Sequence, residues 1–392
     1  MKIAKRSDNE QGILNTFEKL VALDSPSRKE RPVAEFIKKE LSQLDVVLKE
    51  DQAGEKIGGS TGNIIAELPA ADSRHDAAPL LLLSAHMDKV QPGTGTEMQI
   101  LENYITAAGD NILGADDLAG VAAILEALKR IESKKASRGP LKLIFSVAEE
   151  EGLQGAQNMD PDLLQNCDYG IVVDSEGAVG KIVYRAPFKI GFNARIKGQK
   201  AHSGINPDGG VNAIKIASLA ISAMELGRIG EQTTANIGVI KGGVARNVVP
   251  DFIELQGEVR SHDKSKLRQQ TEHMKAMIQK YTAEYGGEVE FDIELLYKGY
   301  SVSRNSPFVN FLVQTAESLN LPVEFAVSGG GSDANVFNAH GLPVVNLGTG
   351  FENAHSAAEK IKIDNLFKLV DFLESIIQNI GSDSNRIQRK ND

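Results

Sequence analysis

The sequence predicts an α/β fold of two domains, a mixed α/β-sheet catalytic domain interrupted by a small ferredoxin-like (βαββαβ) insert. Three observations lead to this reading. Strand-length apolar runs alternate with helically spaced apolar residues through the first half of the chain. Near Pro187 the order changes to strand-helix-strand-strand-helix-strand, and after about Tyr300 the alternating pattern returns. At 392 residues the chain is long enough to bury a core in each domain. The expected boundaries are 1–186 and 299–392 for the discontinuous domain and 187–298 for the insert.

The elements follow in order. Ile13 to Leu23 and Val33 to Leu44 carry helical spacing, and Asn63 to Leu68 and Leu80 to Ser84 read as strands. After the Gly114 loop, Val121, Ile124, Leu125, Leu128 and Ile131 define a helix over Ala119 to Ile131. Strands resume at Leu141 to Val147 and Tyr169 to Val173, with loops over Ser146 to Gly155 and Asp174 to Gly180. In the insert, strands are expected at Phe188 to Lys197, Thr234 to Ile240, Asp251 to Arg260 and Glu288 to Leu296, and helices at Val211 to Leu226 and Lys264 to Tyr285. The last part reads as a helix from Pro307 to Leu319, a strand near Val323, the Gly329 to Gly331 loop, a strand at Leu342 to Leu347 and a helix from Asp364 to Ile380. The polar stretch Gly381 to Asp392 reads as a frayed tail.

Composition narrows the partners. A formal net charge of −10 without a basic stripe argues against nucleic acid. One cysteine, Cys167, cannot form an internal disulfide, and Met1 to Arg6 runs into polar residues without an apolar signal core. No apolar stretch approaches the roughly 20 residues of a membrane span. A cytoplasmic enzyme with no membrane partner is the expectation.

The chemistry concentrates where apolar runs end. His86 and Asp88 close one run, Glu149 to Glu151 and Asp174 follow two others, Asp116-Asp117 follows the Gly114 loop, and His355 follows the run Leu342 to Leu347. In an open α/β sheet, groups at successive strand exits converge despite their distance in sequence. His86 and Asp88, two apart, share a strand face. Histidine nitrogen with carboxylate oxygen and no thiolate suits zinc, and also manganese or cobalt. His86, Asp116, Glu149, Glu150, Asp174 and His355 exceed the needs of one four-coordinate ion, which favours two divalent ions sharing a carboxylate.

Each motif alone has a plainer explanation. An acidic triplet is most often a solvated turn, an Asp-Asp pair often caps a helix, and a histidine at a strand end is usually a surface residue. Only their conjunction in order favours ligation. His75, His262, His273 and His340 fall outside the pattern and read as structural. The triple glycine at Gly329 lacks the spacing of a dinucleotide fingerprint.

The segments Ser84-Ala85-His86-Met87-Asp88, Gly114-Ala115-Asp116-Asp117, Glu149-Glu150-Glu151-Gly152, Val173-Asp174, Ala201-His202-Ser203-Gly204, Gly257-Glu258-Val259-Arg260 and Asn346-Leu347-Gly348-Thr349-Gly350 with His355 stand in a specific order. On these residues nearly the whole chain resembles the zinc aminopeptidase-carboxypeptidase-aminoacylase family, and within it the tripeptide aminopeptidases. The resemblance implies one metal on His86, Asp116 and Asp174, a second on Glu150 and His355, and Asp116 bridging both. Asp88 would orient the His86 ring. Glu149 would take a proton from the metal-bridging water and pass it to the leaving amine.

From the insert, His202 would stabilise the oxyanion, from the partner subunit of a homodimer formed through this lid domain, and Arg260 would hold a peptide carboxylate. Asn247, Gly330 and Ser332 would line the substrate site. Leu118 departs from the family pattern, standing where many relatives carry a lysine. The implied activity is removal of an N-terminal residue from short peptides. Alternatives are an aminoacylase-like or carboxypeptidase-like hydrolase with the same core and, of another class, a non-catalytic peptide- or metal-binding protein.

Overall fold

The structure, a computed structural model, describes residues 7–381. Met1 to Arg6, and the expected tail from residue 382 onward, lie outside them. The described chain divides into two compact units. One comprises residues 7–185, 301–327 and 332–381, and the other residues 186–300 with 328–331.

The large sheet of the first unit takes β1 (Val47–Glu50), β2 (Ile64–Leu68), β3 (Leu81–His86), β4 (Leu141–Ser146) and β5 (Tyr169–Ser175), and β6 (Lys181–Ala186) follows. The chain then forms the second unit with β7 (Phe188–Lys197), β8 (Thr233–Gly242), β9 (Phe252–Ser261) and β10 (Glu288–Tyr297), and returns to the first with β11 (Val344–Gly348). The large sheet has the order β1-β2-β4-β3-β5-β11-β6, with two short strands at its β6 edge. Its centre is parallel: β3 pairs with β4 and β5, and β5 with β11. Antiparallel β1-β2 and β6 flank it.

Parallel strands covered on both faces should be apolar throughout, and every residue of β3 and β4 is buried. Helices Asp8–Val21, Ala115–Ser133, Pro307–Ser318 and Ile363–Asn379 supply much of the cover, burying Phe17, Ile124, Phe308 and Phe372 completely. Because β3, β4, β5 and β11 run the same way, their carboxyl ends open on one edge of the sheet.

In the second unit the order is β8-β9-β7-β10, all antiparallel, with the short strand Gly227–Ile229 beside β8. Helices Ala213–Ser222 and Lys264–Glu284 cover one face through Ile216, Ala220, Leu267, Met274 and Ile278. This is the ferredoxin-like order expected of the insert.

Some elements differ from the sequence reading. The helix expected over Val211 to Leu226 is Ala213–Ser222, because the Asn212 side chain accepts from Lys215 N–H at 3.0 Å and caps it, and Gly227 opens a strand. A four-stranded sheet of Met98–Leu101, Tyr104–Ala107, Phe351–Glu352 and Lys360–Lys362 was not expected. Its strands, two to four residues long, are too short to show a period. The loop after β4 contains a one-turn helix, Gln154–Asn158. Among the described residues, no helix is long and apolar enough to cross a membrane.

Candidate metal centre

His86 is the last residue of β3, where its ring is buried against the loop preceding helix Ala115–Ser133. That helix was expected to begin at Ala119. It is assigned from Ala115, but Asp116 and Asp117 have non-helical backbone angles, so regular helix starts after them. Their side chains therefore diverge. Asp117 accepts the backbone N–H of His86 at 3.1 Å, whereas Asp116 faces the His86 ring, with Oδ1 3.2 Å from Nε2.

Asp174 reaches the same nitrogen from the end of β5, its Oδ1 3.8 Å away. Asn346 of β11 fixes it by accepting Asp174 N–H at 3.0 Å and donating to the Asp174 carbonyl at 3.1 Å. On the other side of Asp116, Oδ2 lies 3.2 Å from His355 Nε2, and Glu150 Oε1 lies 2.8 Å from the same nitrogen. Two sets of converging ligand atoms result, His86-Asp116-Asp174 and Asp116-Glu150-His355, sharing Asp116.

The backbone is unusual at both ends of the second set. Ala148 (φ 48°) and His355 (φ 62°) are non-glycine residues in the left-handed region, which costs energy and concentrates at functional sites. The Glu149-Glu150 turn is held by carboxylates from elsewhere. Asp88 Oδ1 accepts Glu149 N–H at 3.0 Å, Asp88 Oδ2 accepts Glu150 N–H at 3.2 Å, and Glu30 Oε1 accepts Ala148 N–H at 2.9 Å. Ser27 Oγ donates to Asp88 Oδ2 at 2.6 Å. His86 Nδ1 sits nearer the Asp88 carbonyl, at 3.0 Å, than its carboxylate, at 3.4 Å. Asp88 thus touches the ring, but its carboxylate mainly grips the acidic turn.

The electrostatics follow from crowding. Burial pushes the Glu149 carboxyl well above the ordinary range, and Asp333, Glu150 and Asp88 push the same way against His86. Burial likewise holds Asp174 well above that range. Burial raises Asp333 to about 6, although Ser146 Oγ donates to it. Burial alone would lower the His86 value, yet Asp116 and Asp88 hold it well above 6.5, and Asp116 and Glu150 push His355 to about 10.

This donor set fits divalent cations. Each group offers one imidazole nitrogen and two carboxylates, and the surrounding buried anions outnumber the two histidines. Glu150 Oε1 is buried without an aligned hydrogen bond despite its closeness to His355. Glu149 belongs to neither ligand set.

The remaining sequence candidates divide by unit. His202 is exposed in the second unit, its Nδ1 accepting from Gly204 N–H at 3.2 Å and Ile205 N–H at 3.3 Å. Asn247 joins it through the bond from Ser203 N–H to the Asn247 carbonyl at 3.0 Å. Arg260 extends from β9, donates from Nε to Glu258 Oε1 at 2.7 Å and approaches the Gly329 carbonyl, next to Gly330, at 3.4 Å. Ser332 is buried in the first unit as N-cap of helix Asp333–Ala339, its N–H on Asn335 Oδ1 at 3.1 Å. Sequence reasoning missed the supports Ser27, Glu30 and Glu359, and it read Asp117 only as part of a helix-capping pair.

Known proteins share this architecture. Over 94% of its length the chain is 38% identical to the uncharacterised protein YqjE of Bacillus subtilis, covering 98% of that protein. It is 27% identical to peptidase T of Clostridium novyi over 94% of this chain and 99% of that one. Among solved structures, a tripeptidase from Staphylococcus aureus superposes with a TM-score of 0.90 at 36% identity, covering 95% of this chain and 98% of that one. The aminopeptidase PepT from Bacillus cereus gives 0.86 at 36% identity, covering 95% and 99%. The model of peptidase family M20/M25/M40 matches residues 82–379, a span that contains every member of both ligand sets. The chain therefore belongs to peptidase family M20/M25/M40, as a metal-dependent hydrolase of peptides.

Proposed function

We propose that the protein is a tripeptide aminopeptidase working with two zinc ions. The observation that carries this reading is the division of Asp116, one oxygen toward His86 and the other toward His355, with Glu149 adjacent to Glu150 yet outside both ligand sets. The relatives' names, peptidase T, tripeptidase and aminopeptidase, support the substrate class.

His86, Asp116 and Asp174 would hold one ion, and Asp116, Glu150 and His355 the other. Bound divalent ions supply Lewis acidity, which lowers the pKa of water towards ~7 and polarises the scissile carbonyl. Glu149 takes the proton of the attacking water and delivers it to the leaving amine. A buried carboxyl whose proton affinity is raised is suited to both halves of that transfer. Asp88 positions it. His202 donates to the developing oxyanion: its Nδ1 already accepts two backbone N–H groups, so the ring proton sits on Nε2. Arg260 receives the substrate's C-terminal carboxylate beside Gly330, with Asn247 and the Ser332 loop as further substrate contacts.

The enzyme acts as a cytoplasmic homodimer joined through its second unit. The exposed Ile240 and Val244 of that unit support the interface. Hydrolysis of a free-amine tripeptide should exceed that of its N-acetylated form, stop on chelation and return with zinc. Preference for the acetylated peptide would instead establish an aminoacylase, and absence of metal-dependent turnover over a peptide panel a binding protein. Light scattering tests the dimer.

A further inference from the structure

The carboxylate of Glu359 reaches the loop that presents Asp116 and accepts two of its backbone N–H groups, Gly114 at 2.8 Å and Asp116 at 2.9 Å. Glu359 is 1% exposed. The loop it grips is irregular: Gly114 has φ 76°, and Asp116 and Asp117 depart from helical angles. One helical bond, from Leu118 N–H to the Gly114 carbonyl at 3.2 Å, spans the loop, while the Asp116 amide is held from outside by Glu359.

The opposite side of the loop is equally confined. Lys89 is 1% exposed, and a Cβ on Gly114 would collide with its stem, so glycine is required there both for its angle and for its size. The Lys89 ammonium donates to the Val21 carbonyl at 2.9 Å and is electrostatically coupled to Glu359 and Asp24. The loop is therefore held between a buried carboxylate on its N–H groups and a buried lysine stem under its glycine.

We propose that Glu359 is a positioning residue for the metal centre, fixing through the Gly114 and Asp116 amides the angle at which Asp116 divides its oxygens between the two ligand sets. This rests on the two-metal reading above. Partners behind metal ligands typically contribute 10–100-fold to affinity. Because Asp116 belongs to both sets, loosening its loop affects both ions.

The experiment compares wild type, Glu359→Ala and Glu359→Gln, which keeps one acceptor oxygen for two N–H groups, with Leu369→Ala, a core truncation in helix Ile363–Asn379. Cobalt binding to each metal-free protein is titrated calorimetrically, the visible spectrum is recorded at saturating cobalt, and thermal unfolding of the metal-free form is measured. Both Glu359 variants should bind both ions about 10–100-fold more weakly and show altered cobalt bands. Leu369→Ala should lower only the unfolding temperature. Wild-type affinity and bands in the Glu359 variants, or a change confined to one ion, overturn the proposal. Failure of the wild type to bind two ions would instead overturn the two-metal reading.

Discussion

Asp88 grips Glu149 by the backbone: its Oδ1 accepts the Glu149 N–H at 3.0 Å, while its second oxygen accepts the neighbouring Glu150 N–H. One buried carboxylate thus sets the position of the proposed proton carrier and of a ligand together. Asparagine would retain one acceptor and place an NH2 against an N–H. Asp88→Asn should lower kcat about 10–100-fold while retaining most of the metal, as steady-state kinetics and elemental analysis of the same sample would show.

Glu149→Gln should separate binding from chemistry. Glutamine preserves shape but takes no proton from water, and general acid-base groups contribute about 10²–10⁴-fold. Metal content should match wild type while kcat falls within that range. A metal-replete, fully active variant would remove Glu149 from the mechanism.

His355→Ala deletes the only nitrogen of one ligand set and leaves His86, Asp116 and Asp174 in place. Zinc stoichiometry after dialysis should fall from about two to about one per chain, with activity lost. Equal loss of both ions would show that the sets do not fill separately.

Glu30 gives a pH-dependent stability. Burial first, and the nearby Asp88 charge second, raise its pKa from 4.5 to about 7. A carboxyl with a raised folded-state pKa binds its proton more tightly when folded. Its contribution is complete below 4.5 and is lost as pH rises to about 7, a change of up to about 3 kcal/mol. Oε1 accepts Arg28 and Ala148 N–H groups, while Oε2 is buried without a hydrogen-bond partner among the described residues. Glutamine can keep the first role, so Glu30→Gln should flatten this segment of the stability-pH curve, measured by thermal unfolding of metal-free protein at successive pH values.

Much of this architecture was legible because burial writes itself into period. The largely apolar β3 and β4 and the amphipathic Asp8–Val21 and Lys264–Glu284 helices could be read from spacing alone. The candidate ligands were legible for a related reason: parallel strands end on one edge, so residues after apolar runs converge. The supports were not. Glu30 precedes a helix and Glu359 lies between two short strands, and neither position carries a period, since what selects them is a backbone N–H far away in sequence. The short polar strands such as Lys360–Lys362 were hidden too, because pairing rather than amphipathicity defines them.

The position of β11 bears on biosynthesis. This strand, near the end of the chain, lies between β5 and β6, which precede the whole second unit in sequence. While the ribosome is still making residues 187–340, the sheet lacks the strand that joins β5 to β6, and His355 does not yet exist. The second unit, nearly continuous in sequence, can complete its pairing of β7 to β10 first. The metallopeptidase centre is then the last part to mature, and a chain truncated before β11 should leave the ribosome as a folded insert on an unfinished sheet, incapable of premature proteolysis.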